Sequence, residues 1–197
     1  MNEDEGPAGE DEDYRAILDR LEKLEDPSRY RWLSGEELRH HLGPAPEGAV
    51  ADLGSGSGFY TDELAPVIRR AYAVDVLGEM HERYRERGLP DNVEPVTATF
   101  RDLPFADGGL DGAVAVMTFH HELHAALEEI ARVLRPGGRL VIVDWSATGV
   151  GERDPPVEEE YFDPASCQAR LLDAGFRIRV ARERRETFVV VATRRSP

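Results

Sequence analysis

The sequence predicts an α/β fold: a doubly wound, mostly parallel seven-stranded sheet closed by an antiparallel C-terminal hairpin. Three observations carry this. Five short apolar runs alternate with helix-forming segments between Ala49 and Asp144, the order that builds parallel strand–helix units. The first of these runs ends in a glycine turn that opens a helix. The last two apolar runs, Phe176 to Val180 and Thr187 to Ala192, flank an Arg/Glu-rich turn and pair most simply as a hairpin.

Length and composition bound the rest. At 197 residues there is room for one ordinary domain with a full core. Cys167 is the single cysteine, so an intrachain disulfide framework and a cysteine-cluster zinc site are excluded. No apolar run approaches a bilayer's thickness, and the N-terminus is acidic, unlike a signal peptide. A soluble, cytoplasmic protein is expected. The net charge of -15 repels nucleic acid and anionic membranes unless a local basic patch overrides it.

Residues 1–13 are acidic and almost without apolar side chains, a composition that favours disorder. A single domain over 14–197 is expected to follow, led by helices within 14–45. In the first, Ile17, Leu18, Leu21 and Leu24 recur at helical spacing, and Asp26-Pro27 ends it. Ser34 with Glu37 reads as a capping box for a helix through about Leu42, stopped by Gly43-Pro44-Ala45-Pro46.

Ala49 to Leu53 reads as the first strand. Gly54, Gly56 and Gly58 alternate after it, and a helix is expected from Thr61 to Arg70, kinked at Pro66. Glycines serve where the chain turns sharply and where a ligand approaches the backbone. The amides of such a turn face an incoming ligand. The dinucleotide fingerprint G-x-G-x-x-G is not met: the third glycine comes one residue early, and Phe59 stands at the fingerprint position. Asp52 lies at the strand end, where a carboxylate repels phosphate and welcomes an ammonium group. The second strand, Ala71 to Val74, ends at Asp75, 21 positions after Gly54. An acid at that offset can accept both hydroxyls of a ribose.

Asp52-x-Gly54-x-Gly56-x-Gly58 resembles motif I of the class I S-adenosylmethionine (SAM)-dependent methyltransferases. Val93 to Thr97 reads as a third strand. The Leu103-Pro104-Phe105 stretch after it, with Ala106-Asp107-Gly108, resembles the motif II loop of the type-11 methyltransferase subgroup. Glu129-Ile130-Ala131-Arg132-Val133-Leu134-Arg135-Pro136-Gly137-Gly138 resembles the same subgroup, as a helix from Ala125 to Leu134, a stop and a tight turn before a fifth strand at Arg139 to Asp144. The resemblance covers roughly residues 29 to 193 and implies a Rossmann-like methyltransferase fold with SAM as cofactor. The binding set it implies is Asp52, Gly54, Ser55, Gly56, Gly58, Asp75, Val76, Met80, Thr99, Phe100 and Met117. One position departs from the pattern. Many relatives place an Asp four residues before the Leu to bind the adenine amino group, and here that residue is Thr99. Thr99, Asp102 in another register, or backbone groups alone would then read the base, with Phe100 against its face. Met80 near the adenine has the alternative of a gap-filling core methionine.

The fourth strand, Leu110 to Met117, is followed by Thr118-Phe119-His120-His121, where open α/β sheets place ligands. Histidine suits proton transfer near neutral pH, so His120 and His121 are the catalytic candidates, with packing as the alternative. Asp144 is a second candidate for substrate contact. His120 and His124 at i, i+4 lack a third metal ligand, and no metal is expected. Methyl transfer to a small organic acceptor is the expected function. Its acceptor pocket is expected between Tyr30 or Trp32, His120 and His121, and the long connection Trp145 to Tyr161, which would be mobile without ligand. Two rivals are a SAM-binding regulatory or scaffold protein without turnover and an NAD-type oxidoreductase. The oligomeric state is not legible.

Overall fold

The computed structural model describes residues 23–43, 47–120, 122–149 and 162–196. The acidic tail, most of the first leading helix, His121 and most of the Trp145 to Tyr161 connection lie outside these residues. Seven strands form one sheet: β1 Ala49–Leu53, β2 Arg70–Asp75, β3 Val93–Thr97, β4 Leu110–Val116, β5 Leu134–Trp145, β6 Phe176–Glu183 and β7 Thr187–Arg194. Their order is β3-β2-β1-β4-β5-β7-β6. β1 to β5 pair in parallel, and β7 runs antiparallel to both β5 and β6. The predicted architecture is the observed one.

The α-helices that lie wholly within the described residues are α1 Gly35–Leu42, α2 Thr61–Leu64, α3 Gly78–Gly88, α4 Leu127–Val133 and α5 Pro164–Asp173. Successive strand residues point to opposite faces, and both faces are covered. Val50, Ala73 and Val114 pack with Leu38 of α1, Leu64 of α2 and Tyr84 of α3. Ala51, Val74 and Ala113 pack with Ile130 of α4 and Leu171 of α5. This is why the parallel strands read as continuous apolar runs rather than alternating ones. Cys167 is buried in the second cluster as a free thiol. Among the described residues no helix is long and apolar enough to cross a membrane.

Several expected elements shift. The helix predicted over Thr61 to Arg70 is one α-turn, Thr61–Leu64, continued as a 3-10 turn over Ala65–Val67. Pro66 lacks the donor and clashes with the preceding turn. The helix predicted over Ala125 to Leu134 is split into a 3-10 turn, Glu122–Ala125, and α4. Arg135 to Gly138 is not a free turn. It is the irregular start of β5, where Leu134 pairs with Leu110 and the register slips between Leu110 and Gly112. β4 stops at Val116, one residue early, because Met117 takes a left-handed φ of 60°. At α1, Ser34 Oγ accepts from Glu37 N at 3.2 Å, but the reciprocal half of the capping box is absent. The Glu37 carboxylate takes a hydrogen bond from Arg184 instead. A full capping box appears at α5, between Asp163 and Ser166.

β1 is an interior strand, with β2 on one side and β4 on the other. The connections leave in opposite directions from this point, which opens a crevice beyond the carboxyl ends of the strands.

Candidate functional site

The glycine turn caps β1 over its neighbour β2. Gly54 N and Ser55 N both donate to the carbonyl of Val74, at 2.8 and 3.0 Å. All three glycines have positive φ, at 75°, 55° and 90°. They nevertheless do different work. A Cβ on Gly54 would lie 2.2 Å from the Thr118 methyl, and one on Gly58 would lie 2.2 Å from the Tyr84 ring. These two glycines let β4 and α3 approach the turn. A Cβ on Gly56 would meet only Leu24, at 3.7 Å. Gly56 and Gly54 line a cavity of about 580 Å³, within the usual size of small-molecule sites. Ser55 and Gly58 do not line it.

Asp75 ends β2 at the cavity. Its Oδ2 accepts from Gly56 N at 2.8 Å and its Oδ1 from Leu77 N at 3.0 Å. These amides fix the carboxylate's orientation, and each oxygen keeps a further acceptor site. Val76 and Met80 line the cavity beside it, as do Thr99, Phe100 and Met117. Val76 is 59% exposed and Leu77 46% exposed, an apolar rim with no protein cover. Asp102 is not a lining residue; Thr99 is. Met117 is the single described non-glycine residue with positive φ, a strained backbone at a cavity wall.

Asp52 departs from its expected place. It is buried beneath the turn, outside the cavity lining, and accepts from Thr61 Oγ1 at 2.7 Å. Burial pushes its pKa up to about 6, partly offset by that hydrogen bond and by the charge of Arg29. An ammonium group in the cavity would feel this carboxylate as a nearby charge.

Arg29 was not singled out by the sequence. It sits in a 3-10 turn, Pro27–Arg31, and lines the cavity although it is only 8% exposed. Its Nη1 donates to Leu24 O at 2.6 Å, and its guanidinium lies about 5 Å from the ring centres of Phe59 and Tyr60. A Pro-led turn before the first strand was the one available signal. Leu24, Leu77, Ala98, Val116 and Thr118 complete the wall beyond the predicted residues.

The described residues of the second half of the predicted site pack away from the cavity, while His121 and residues 150–161 lie outside the described residues. His120 is buried, with Nδ1 2.6 Å from Asp144 Oδ1 and its backbone N donating to Asp144 Oδ2 at 3.0 Å. Asp144 also accepts from Trp145 N at 2.7 Å and is 1% exposed. Neither residue lines the cavity. His124 Nδ1 lies 3.3 Å from Phe119 O, and no group of three potential metal ligands occurs among the described residues. Trp32 meets Trp145 edge to face at 4.8 Å, and its indole donates to Glu186 at 2.6 Å. Tyr30 instead donates to Glu63 at 2.7 Å, a hydrogen bond that pushes its pKa up to about 12.

Comparison with known proteins agrees with this geometry. A family profile described as a methyltransferase domain matches residues 51–142. A SAM-dependent methyltransferase from Aquifex aeolicus superposes with a TM-score of 0.77 at 33% identity, covering 89% of this chain and 97% of that one. The O-methyltransferase cnsE of Penicillium expansum is 33% identical over 178 residues, 78% of this chain and 63% of its own length. The ubiquinone/menaquinone biosynthesis C-methyltransferase UbiE of Sinorhizobium fredii is 32% identical over 129 residues, 61% of this chain and 48% of its own. The chain thus spans less than two thirds of these curated relatives. With its glycine turn, acid-ended second strand and antiparallel closing strand, the chain belongs to the SAM-dependent methyltransferases.

Proposed function

We propose that the protein transfers the methyl group of SAM to a small organic acceptor, and that the crevice over β1, β2 and β4 holds the cofactor. One observation carries the cofactor placement. Asp75, oriented by two backbone amides, stands beside Gly56, whose missing side chain leaves the cavity open. Asp75 would accept the ribose hydroxyls through its remaining acceptor sites. Val76, Leu77, Met80 and Phe100 would enclose the base, with Thr99 the polar side chain among the described residues of that wall. The cofactor supplies an activated methyl on a sulfonium, so the chain's task is positioning.

A base is needed only for an acceptor that must lose a proton. His120 is the described candidate, its ring held by Asp144 through Nδ1. His121 is the other. The acceptor would enter between the Trp32–Trp145 contact and the cavity. The acidity of the chain disfavours a nucleic-acid acceptor, and all described elements sit on one sheet, which supports a single domain over 14–197. A cytoplasmic location fits the same reading.

Cofactor binding without turnover is a second reading, since the described cavity wall holds no side-chain base other than Asp75. The fold itself allows chemistry other than methyl transfer: the [4+2]-cyclase SpnF shares it with a TM-score of 0.73. Calorimetry with S-adenosylhomocysteine tests the site. Transfer of labelled methyl from SAM to a panel of phenols, quinols and carboxylic acids tests turnover. Binding without any label transfer favours the second reading, and absence of binding sinks both.

A further inference from the structure

The net charge of -15 is unevenly spread along the chain. Five of the ten residues from Phe176 to Arg185 are arginine, and Glu183 is the one acid among them. β6 fills most of that stretch. It is an outermost strand of the sheet, with β7 its sole strand partner. The register slips between Ile178 and Val180, so Arg179 stands in a bulge. Arg177, Val180 and Arg182 pair with Thr193, Val191 and Val189, alternate residues of β7, and so share one face. Arg177, Arg179, Arg182 and Arg185 are exposed, and no hydrogen bond or ion pair holds any of them among the described residues.

Charge on an edge strand keeps it from pairing with a foreign sheet, and either sign serves that duty. Acids outnumber bases 39 to 24 in this chain, so a run of arginine asks for a second cause. Residues 1–13 hold seven acids and no base, the complementary charge. The leading segment is already fixed at the turn that ends β6: Trp32 donates to Glu186, and its carbonyl accepts from Arg184. Extended, the tail spans about 40 Å, more than the roughly 26 Å of a strand as long as β6. We propose that residues 1–13 dock along the Arg177–Arg182 edge of their own chain and shield it from outside polyanions. Each exposed ion pair contributes little. Tethering, which puts a linked segment near millimolar effective concentration, supplies the rest. The proposal is independent of the cofactor site.

A nitroxide on Asn2→Cys in the full chain tests this by nuclear magnetic resonance, with Cys167 buried and out of the label's reach. At low salt the label is expected to broaden the amides of Arg177, Arg179 and Arg182, and not those of β3 at the opposite end of the sheet. The broadening should fall at least about twofold in ~1 M salt, where the Debye length is ~3 Å. Glutamine or asparagine at all seven tail acids should abolish it, and these changes touch no core residue. Broadening that misses β6, or that survives neutralisation of the tail, would overturn the proposal. So would broadening seen only between separately labelled copies in a mixture, which assigns the tail to a second copy. A fluorescent single-stranded oligonucleotide tests the shielding. The tail-neutralised chain should bind it at least about tenfold more tightly than the wild type at low salt, and adding Arg177→Gln and Arg182→Gln should remove the gain. Equal affinity, no binding by either chain, or a gain that survives the loss of both arginines would overturn the shielding.

Discussion

Asp75 and Asp144 occupy equivalent places, each at the carboxyl end of a parallel strand, and they have opposite fates. Asp75 accepts two backbone amides and still faces a cavity. Asp144 accepts two amides and the His120 ring, and it is sealed. The residues that follow each acid make the difference. After β2 comes an exposed Val76-Leu77 rim, whereas Asp144 is succeeded by Trp145, which is covered by Trp32. An acid at a strand end thus stays open to a cavity only where the next residues leave it uncovered. Otherwise it is a structural acceptor that holds loop amides.

The largest expected effect breaks the closed member. Asp144→Ala leaves the amides of His120 and Trp145 and the His120 ring without their acceptor, in a buried place. It should cost about 3–5 kcal/mol, a fall in Tm of about 10 °C on the scale for a domain of this size. Asp75→Ala should cost under about 1 kcal/mol. Equal losses in thermal denaturation would erase the contrast.

The glycines sharpen the same comparison. Gly58→Ala drives a Cβ into the Tyr84 ring at 2.2 Å with a φ of 90° and should cost about 1–3 kcal/mol of stability. Gly56→Ala meets only Leu24 at 3.7 Å, so its stability loss should stay near the ~1 kcal/mol left-handed penalty. Its affinity for S-adenosylhomocysteine should fall at least tenfold, and the bulkier Gly56→Val should abolish binding while leaving the fold largely intact. Urea denaturation paired with calorimetry separates the two effects. A Gly56→Ala variant of wild-type affinity would mean that the ligand does not approach this backbone.

Asp75→Ala should lose about 1–3 kcal/mol of cofactor affinity, the range for hydrogen bonds to a charged acceptor. Unchanged affinity would place the ribose elsewhere.

The smallest effect concerns Asp52. Its folded pKa, about 6 against an ordinary 3.8, means that the native state holds the proton more tightly than the unfolded chain. Stability from this group is therefore present below pH 3.8, declines between about 4 and 6, and is lost above. Asp52→Asn removes the titration. It should match the wild type near pH 4 and exceed it by about 1 kcal/mol above pH 7. A two-unit shift alone corresponds to ~3 kcal/mol, but the amide brings an extra donor to be satisfied. An advantage that is the same at pH 4 and pH 8 would refute the buried-carboxylate account.

These cases show what a sequence carries. The sheet was legible because burial on both faces imposes continuous apolar runs, and the glycine turn because positive φ imposes glycine. The separate duties of Gly54, Gly56 and Gly58 were not, since they depend on Thr118 and Tyr84, distant in the chain. Asp75 was legible from its offset. Arg29 was not, because a 3-10 turn with no periodicity brings it to the cavity. The His120–Asp144 contact was not legible, because it depends on how β4 and β5 end. Pro136-Gly137-Gly138 looked like a turn because strand irregularities use the same residues as turns.

Glu25 has a kinetic consequence. Both its oxygens accept from Arg83 of α3, each at 3.0 Å, and Arg87 lies 3.9 Å away. Its chain neighbour Leu24 forms part of the cavity wall. The clasp thus ties the segment that carries Leu24 to α3 beside the cavity where the cofactor is proposed to bind. Partly solvated ion pairs weaken as ionic strength shortens the Debye length. Salt should therefore shorten the residence time of the cofactor more than it slows its capture, making this clasp a brake on exchange that the surrounding electrolyte sets.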